Sequence, residues 1–369
     1  MKKFNLFLII VAILTVSFAG YVFISGGLGN NTSSKTGTLL DKFDTETTNE
    51  NGIAVPERSG PILLSDRQVL SPTGSLNPNS ILYYDKSTGE LYELNLTDST
   101  EKLVSNKPLP DLIGAVWSPL KRSVINLVRI ENTLKFKHLD LTSGNETDFN
   151  ANIRSVAFSP DANLIAYYYL DETIKLDENG LPIEQAGKIV LSQPSGVNGK
   201  KILDTRLKNL EISWPVADKI ALKINSSDMF LLTETGQFTK LFEQKIELRE
   251  RWSPSGKKLL FSSLTTDENG LVKPVLWLKD IESKEETPLD LEGDASLCAW
   301  SKDDITIICA LSKSPSIHEI YKINSLDKSR KLAAEPNMLI KELLMSAAEY
   351  NLLMISAVDE KLYSIKISD

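Results

Sequence analysis

From Ser65 to the C-terminus the chain alternates short apolar runs with polar turns. In Leu134-Lys135-Phe136-Lys137-His138-Leu139 and Lys361-Leu362-Tyr363-Ser364-Ile365-Lys366-Ile367, apolar and polar residues tend to change places at every step. Period two suits strands with one buried face. No stretch of ten or more residues in this region keeps the 3.6-residue spacing of a helix. The nearest approach is Met338 to Tyr350, where Leu343, Ala347 and Tyr350 would share a helical face. The repeat described next makes Ile340 to Met345 a strand instead.

An aromatic residue, a turn and an apolar run recur together. The clear copies are Trp117-Ser118-Pro119, Phe158-Ser159-Pro160, Trp214-Pro215, Trp252-Ser253-Pro254 and Trp300-Ser301-Lys302. Leu76-Asn77-Pro78 and Met345-Ser346-Ala347 are weaker ones. The anchors fall at 76, 117, 158, 214, 252, 300 and 345, in steps of 38 to 56 residues. That period is typical of propeller blades and of helical repeats, and the period-two alternation excludes the helices. One unit shows the grammar. Leu248 to Trp252 leads into Pro254-Ser255-Gly256, a hairpin turn in which Pro fixes φ and Gly accepts a positive one. The runs Lys257 to Ser262, Val275 to Ile281 and Glu286 to Leu291 follow, giving four short antiparallel strands.

The expected fold is therefore all-β, a seven-bladed β-propeller of four-stranded antiparallel blades, with six or eight blades also compatible with the degenerate end repeats. The last unit stops after its third strand. The segment Ile53 to Ser65 is expected to supply the missing outer strand and close the ring, which leaves few open edges. Aromatic-Ser-Pro-x-Gly followed by an apolar run resembles the WD40-like (PD40) repeats of TolB-type β-propellers, over about residue 66 to the end. Departures occur at Asp161-Ala162-Asn163, which lacks the Gly, and at Trp214-Pro215-Val216, which lacks the Ser. The α/β domain that precedes the TolB propeller has no counterpart.

The front of the chain differs. Lys2 and Lys3 precede an apolar stretch from Phe4 to Ile24, about the length needed to cross a hydrocarbon core of roughly 30 Å. The charges predict a cytoplasmic N-terminus. Residues 1–24 read as a signal-anchor transmembrane helix and residues 25–52 as a flexible polar linker. Residues 53–369 form the propeller, outside the cytoplasm. Ser17-Phe18-Ala19 also fits a cleavage site, and cleavage near Ala19 would release a secreted protein. Tyr21 to Ile24 extends the apolar run beyond it and favours the anchor.

The net charge is −8 and no Lys/Arg cluster forms a basic patch. Nucleic acid is thus not an expected partner. Cys298 and Cys309 fall directly opposite across one hairpin. An extracytoplasmic compartment permits a disulfide, and a pair of buried thiols fits equally well. The two histidines, His138 and His318, belong to separate blades. No Gly-x-Ser-x-Gly elbow occurs, and no triad or metal-ligand pattern stands out. No cofactor is expected.

Two similar loops, Asp177-Glu178-Asn179-Gly180-Leu181 and Asp267-Glu268-Asn269-Gly270-Leu271, occupy matching places in two blades. The first lies in a long insertion, Leu170 to Lys188. Asp171, Glu172, Asp177, Asn179, Asp267 and Asn269 are the candidate partner-binding residues, although Asn-Gly is also simply a good turn. Trp117, Phe158, Trp214, Trp252 and Trp300 read as blade-packing anchors rather than a binding platform. Together these features lead to a membrane-tethered, non-catalytic module that binds a protein or a cell-envelope polymer. The rival expectation is a metal-assisted hydrolase or lyase working in the central funnel.

Overall fold

A computed structural model describes residues 60–367, apart from 172–174, 177, 181 and 184–185. The apolar segment and linker at the front lie outside the described residues. Among those described, no helix is long and apolar enough to cross a membrane, and the one helical segment is a single turn at Ala295–Leu297. The rest is antiparallel sheet. Five sheets have four strands, one has seven, and a two-stranded ribbon pairs Lys175–Leu176 with Pro182–Ile183 in the insertion. The stretch Ile340–Met345 is a strand.

Each sheet of four is built from consecutive strands, apart from the ribbon inserted in one of them. The strands that open the sheets lie beside one another: Ile62–Gly74 by Leu112–Trp117, that by Ile153–Phe158, and that by Leu210–Val216. Arg249–Trp252 likewise lies by Cys298–Trp300, and that by Ile340–Met345. These inner strands position the candidate site.

The serine of the aromatic-Ser-Pro unit has a local reason. The amide of Ser118 donates to Ser123 O, Ser159 to Leu164 O, Ser253 to Lys258 O, Ser301 to Thr306 O and Ser346 to Asn351 O. The hydroxyls of Ser159, Ser253 and Ser346 also accept from the amides of Leu164, Lys258 and Asn351. A short hydroxyl thus closes both ends of a turn whose serine is buried. Ser75 N makes the same bond to Ser80 O. The first anchor position is therefore Gly74, not Leu76 as the motif suggested. Leu76 is 70% exposed in the turn itself.

One strand joins the two ends of the chain. In Ile62–Gly74, Ile62 to Gln68 pairs with Lys361–Lys366, and Val69 to Gly74 pairs with Ser80–Asp85. The pairing of the closing strand with Lys361–Lys366 is described from Ile62 and runs past the expected Ser65 to Gln68; residues 53–59 lie outside the described residues. Arg67 clamps this junction. Its Nη1 lies 2.8 Å from Asp85 and its Nε 2.9 Å from Glu101, and its guanidinium lies 4.2 Å from the centre of the Tyr92 ring. Glu101 also accepts from Ser65 Oγ and Tyr83 Oη.

The five aromatic anchors lie in apolar clusters with residues of the preceding sheet. Trp117 stacks on Tyr84 at 5.7 Å, Phe158 joins Ile125, and Trp214 joins Ala157 and Ala166. Trp252 packs with Ala221 and Phe261, and Trp300 with Leu260. The indoles of Trp117 and Trp300 donate to carbonyls on the preceding inner strand, Ser71 O and Arg251 O. Trp252 Nε1 is buried without an acceptor. The strand before it carries Pro215 and a register shift between Ser213 and Val216, so the departure at Trp214-Pro215 coincides with the lost bond.

Cys298 and Cys309 are directly paired, and their sulfurs are bonded at 2.11 Å. The bond closes a loop of 11 residues, for which chain entropy predicts about 2–3 kcal/mol of stability. Cys298→Ala/Cys309→Ala is expected to lose that amount in denaturant titration. Thiol titration of unreduced, unfolded wild type should find no free thiol; two per chain would contradict the bond.

Candidate functional site

Of the six residues first proposed for partner contact, four are described. Glu172 and Asp177 lie outside the described residues, Asp171 is half-buried and Asn179 exposed. Asp267 and Asn269 sit in a hairpin of a different sheet, with the Leu210–Val216 sheet between. Asp267 Oδ1 accepts the amides of Asn269 and Leu271, and Gly270 takes φ +79°. Those amides hold the Asp267 carboxylate below its ordinary range. It is spent on its own turn.

Charge gathers instead on the inner strands. Lys223 Nζ lies 3.1 Å from both carboxylate oxygens of Glu250 and 2.9 Å from Glu211. The Lys223 and Glu250 side chains are 13% and 14% exposed, whereas Glu211 reaches water. Burial pulls Lys223 down, but the Glu250 charge and the contacts with Glu211 outweigh it, and the amine is held charged. Burial pushes Glu250 above the ordinary carboxylate range by more than Lys223 pulls it down, and the Glu211 charge adds to the push. One cation thus serves two carboxylates, and the buried one takes up the proton more easily.

Arg251 follows Glu250. Its Nη2 donates to Ser296 O at 2.8 Å and its Nε to Cys298 O at 3.3 Å, across to the next inner strand. The Arg251 charge reaches Glu342 on Ile340–Met345. Burial raises Glu342 above its ordinary range, and Arg251 and Lys341 only partly oppose it. Two carboxyls with raised affinity for a proton therefore stand within the influence of one guanidinium. Arg249 and Lys341, roughly half exposed, sit on the same two strands. Carboxyls poised nearer neutrality, beside fixed positive charge, suit proton transfer to or from a bound anion.

The raised Glu342 has a consequence for stability. A carboxyl whose folded pKa exceeds its unfolded value, about 4.3, opposes folding once it ionises. Wild-type stability should fall as pH rises from the unfolded value through the folded one. Glu342→Gln is accordingly expected to melt higher than wild type at pH 7 and at the same temperature near pH 3. Melting curves at the two pH values check this; equal melting at both would show that Glu342 is not desolvated.

Sequence reasoning missed this cluster, although a signal was present. Arg249-Glu250-Arg251 places three charges in a row on a strand, and alternation sends Glu250 to the face opposite its neighbours. At least one charge had to be enclosed. Of the histidines, His318 Nδ1 accepts the amide of Ile340 at 3.0 Å. His138 lies far along the chain, in the strand Thr133–Asp140. Among the described residues no three His, Cys, Asp or Glu side chains gather as a metal ion requires.

No family model and no curated protein matches this chain. Solved structures do. An oligogalacturonate lyase in complex with manganese is 14% identical, with a TM-score of 0.62 over 83% of this chain and 93% of that one. The Pyrococcus horikoshii acylaminoacyl peptidase is 13% identical, with a TM-score of 0.52 over 78% of this chain and 49% of that one. This chain thus spans about half of the peptidase. The β-propeller domain of the trilobed protease from Pyrococcus furiosus is 13% identical, with a TM-score of 0.52 over 82% and 95% of the two chains. Identities this low establish the fold, a β-propeller, and nothing finer.

These likenesses correct the expectation of a non-catalytic binding module. That expectation leaned on the absence of a nucleophile elbow, a triad or a metal-ligand pattern from the sequence. The lyase, which bears an enzyme's name, aligns with this chain over 93% of its own length. Among the described residues here no three His, Cys, Asp or Glu side chains gather to hold an ion such as the manganese named with that lyase.

Proposed function

We propose that the chain is an enzyme, a hydrolase or lyase, that works on an anionic substrate at the inner strands. The observation that carries this reading is that Glu250 and Glu342 are both pushed by burial toward holding a proton and both feel the charge of Arg251. In an elimination, one carboxylate would remove the proton beside the substrate carboxylate, and a neutral carboxyl would protonate the departing oxygen. In a hydrolysis the same pair would serve water and the leaving group. Arg249 and Lys341, paired with Glu247 and Glu360, are the exposed cations an anionic substrate would meet there. The lyase acts, by its name, on oligogalacturonate; we take acidic oligosaccharides as the first substrate class for this chain.

The finer architecture belongs to the same reading. The seven-stranded sheet counts as two blades that share Ile62–Gly74, which makes seven blades with the five sheets of four. We assign the repeats to the TolB-type WD40-like class. Residues 1–24 anchor the enzyme in a membrane, residues 25–52 hold it off the surface, and a cell-envelope polymer becomes its substrate rather than a passive partner.

The test is turnover of acidic oligosaccharides, followed both as new unsaturation and as new reducing ends. Unsaturation identifies a lyase and reducing ends alone a hydrolase. The pH–rate profile should show a limb above the usual carboxylate range. Absence of both products across uronate-bearing oligosaccharides would defeat the reading.

A further inference from the structure

Among the described residues, four buried side-chain polar atoms have no hydrogen-bond partner. Three of them, Tyr84 Oη, Asn126 Oδ1 and His138 Nε2, line one cavity of about 10 Å³ between the first two sheets. The residues are 1%, 1% and 6% exposed. They come from three strands, Ser80–Asp85, Ser123–Ile130 and Thr133–Asp140. Asn126 is close enough to act on the Tyr84 hydroxyl, yet neither atom completes a bond. A buried polar atom left unpaired is destabilising, so three that converge point to something that belongs among them. The space suits one oxygen atom with its hydrogens.

The cavity is not sealed. It shares Lys107, Leu109, Lys137 and Glu146 with a cleft of about 460 Å³, walled further by Pro108, Pro110, Val128 and Ile130. We propose that this cleft is a binding site for a neutral sugar or polyol, with one hydroxyl seated among Tyr84, Asn126 and His138.

The chemistry selects a hydroxyl. Burial holds His138 below its ordinary range, with Asp140 opposing only in part, so the imidazole is neutral near pH 7. Burial likewise keeps Tyr84 a neutral phenol. The floor therefore offers an acceptor in Asn126 Oδ1 and a donor in the Tyr84 hydroxyl, and carries no charge. Tyr84, Asn126 and His138 offer a carboxylate no cation, and the rim lysines are already paired, Lys107 with Glu146 and Lys137 with Asp148 at 3.0 Å. An ammonium likewise meets no carboxylate among these three, and Glu146 at the rim is taken by Lys107 at 3.4 Å. A hydroxyl both donates and accepts, and apolar walls beneath a charged rim fit the faces and edges of a sugar ring. This site stands apart from the Glu250 and Glu342 cluster and does not rest on the enzymatic reading.

Galactose is the probe. A crystal structure of the protein grown with it should place a hydroxyl oxygen within hydrogen-bond distance of all three atoms. Titration followed by NMR should give saturable binding in the millimolar range, weakened about 3- to 10-fold by Tyr84→Phe and unchanged by Glu250→Gln. Tyr84→Phe retains the ring that stacks on Trp117, and its melting temperature reports whether the sheets still pack. Water alone in the cavity in the presence of the sugar would overturn the proposal. So would binding that neither Tyr84→Phe nor Asn126→Leu alters.

Discussion

Glu250→Gln and Glu342→Gln are each expected to lower kcat by about 100-fold or more, the usual contribution of a positioned acid or base. Gln keeps the shape and hydrogen-bonding reach of Glu and removes the exchangeable proton. At Glu250 the amide can still accept from Lys223, whose charge remains paired with Glu211 at 2.9 Å. Lys223 then no longer shares its charge with a second, buried carboxylate. The fold should survive, and the limb of the pH–rate profile governed by the lost carboxyl should flatten. At Glu342 the same change is expected to raise the melting temperature while turnover falls. A residue that resists folding and is required for activity is the pattern of a site whose strain serves function. Activity retained within about threefold in both variants would exclude these carboxyls from the chemistry. Loss of activity together with loss of melting temperature would mark them as structural.

Arg67→Ala is expected to destabilise the ring by about 2–3 kcal/mol at pH 7. Removing one partner of a fully buried ion pair costs about 3–5 kcal/mol. Here the figure is smaller, because Arg67 is 36% and Glu101 22% exposed. Asp85, at 4% exposure, is the partner left enclosed. Burial pushes Asp85 up, but its bonds from Ser87 and Arg67 prevail and hold it below the ordinary carboxylate range. Burial likewise opposes Glu101, and its bonds from Ser65, Tyr83 and Arg67 bring it below that range. Depressed carboxylates contribute stability above their unfolded pKa and lose it as pH falls through the folded one. The gap between wild type and Arg67→Ala should therefore be widest near neutrality and shrink below about pH 4. Denaturant titrations at pH 7 and pH 3 measure it. A gap independent of pH would show that Arg67 acts through its stacking on Tyr92 at 4.2 Å rather than through its charge. Because these contacts lie where Ile62–Gly74 passes from one sheet to the next, the loss should be felt as opening of the ring at its ends.

Much of the fold was legible in the chain because it is written locally. Alternation over a few residues identifies a strand, and a Ser-Pro-x-Gly turn identifies a hairpin without reference to distant residues. The amides of Ser118 and Ser253 close their turns on carbonyls five residues away. The opposition of Cys298 and Cys309 followed from the same counting. The front repeat was misplaced by two residues, at Leu76 instead of Gly74, since a glycine in the anchor position leaves no aromatic to find. The end of the closing strand was misjudged too, at Ser65 instead of Gln68, because its partner, Lys361–Lys366, lies almost the whole chain away.

The sequence by itself thus determined the strands, their turns, the repeat and a ring closed by its own ends. Each of these depends on periodicity or on contacts a few residues apart. Only the tertiary structure decided which charges are enclosed and which polar groups meet. The Arg251 charge bears on both Glu250 and Glu342 because inner strands of different sheets lie side by side. Tyr84, Asn126 and His138 converge because two sheets pack face to face. Burial and proximity across sheets set the proton affinity of a carboxyl and leave a hydroxyl unpaired, and neither quantity is carried by residue type or spacing along the chain.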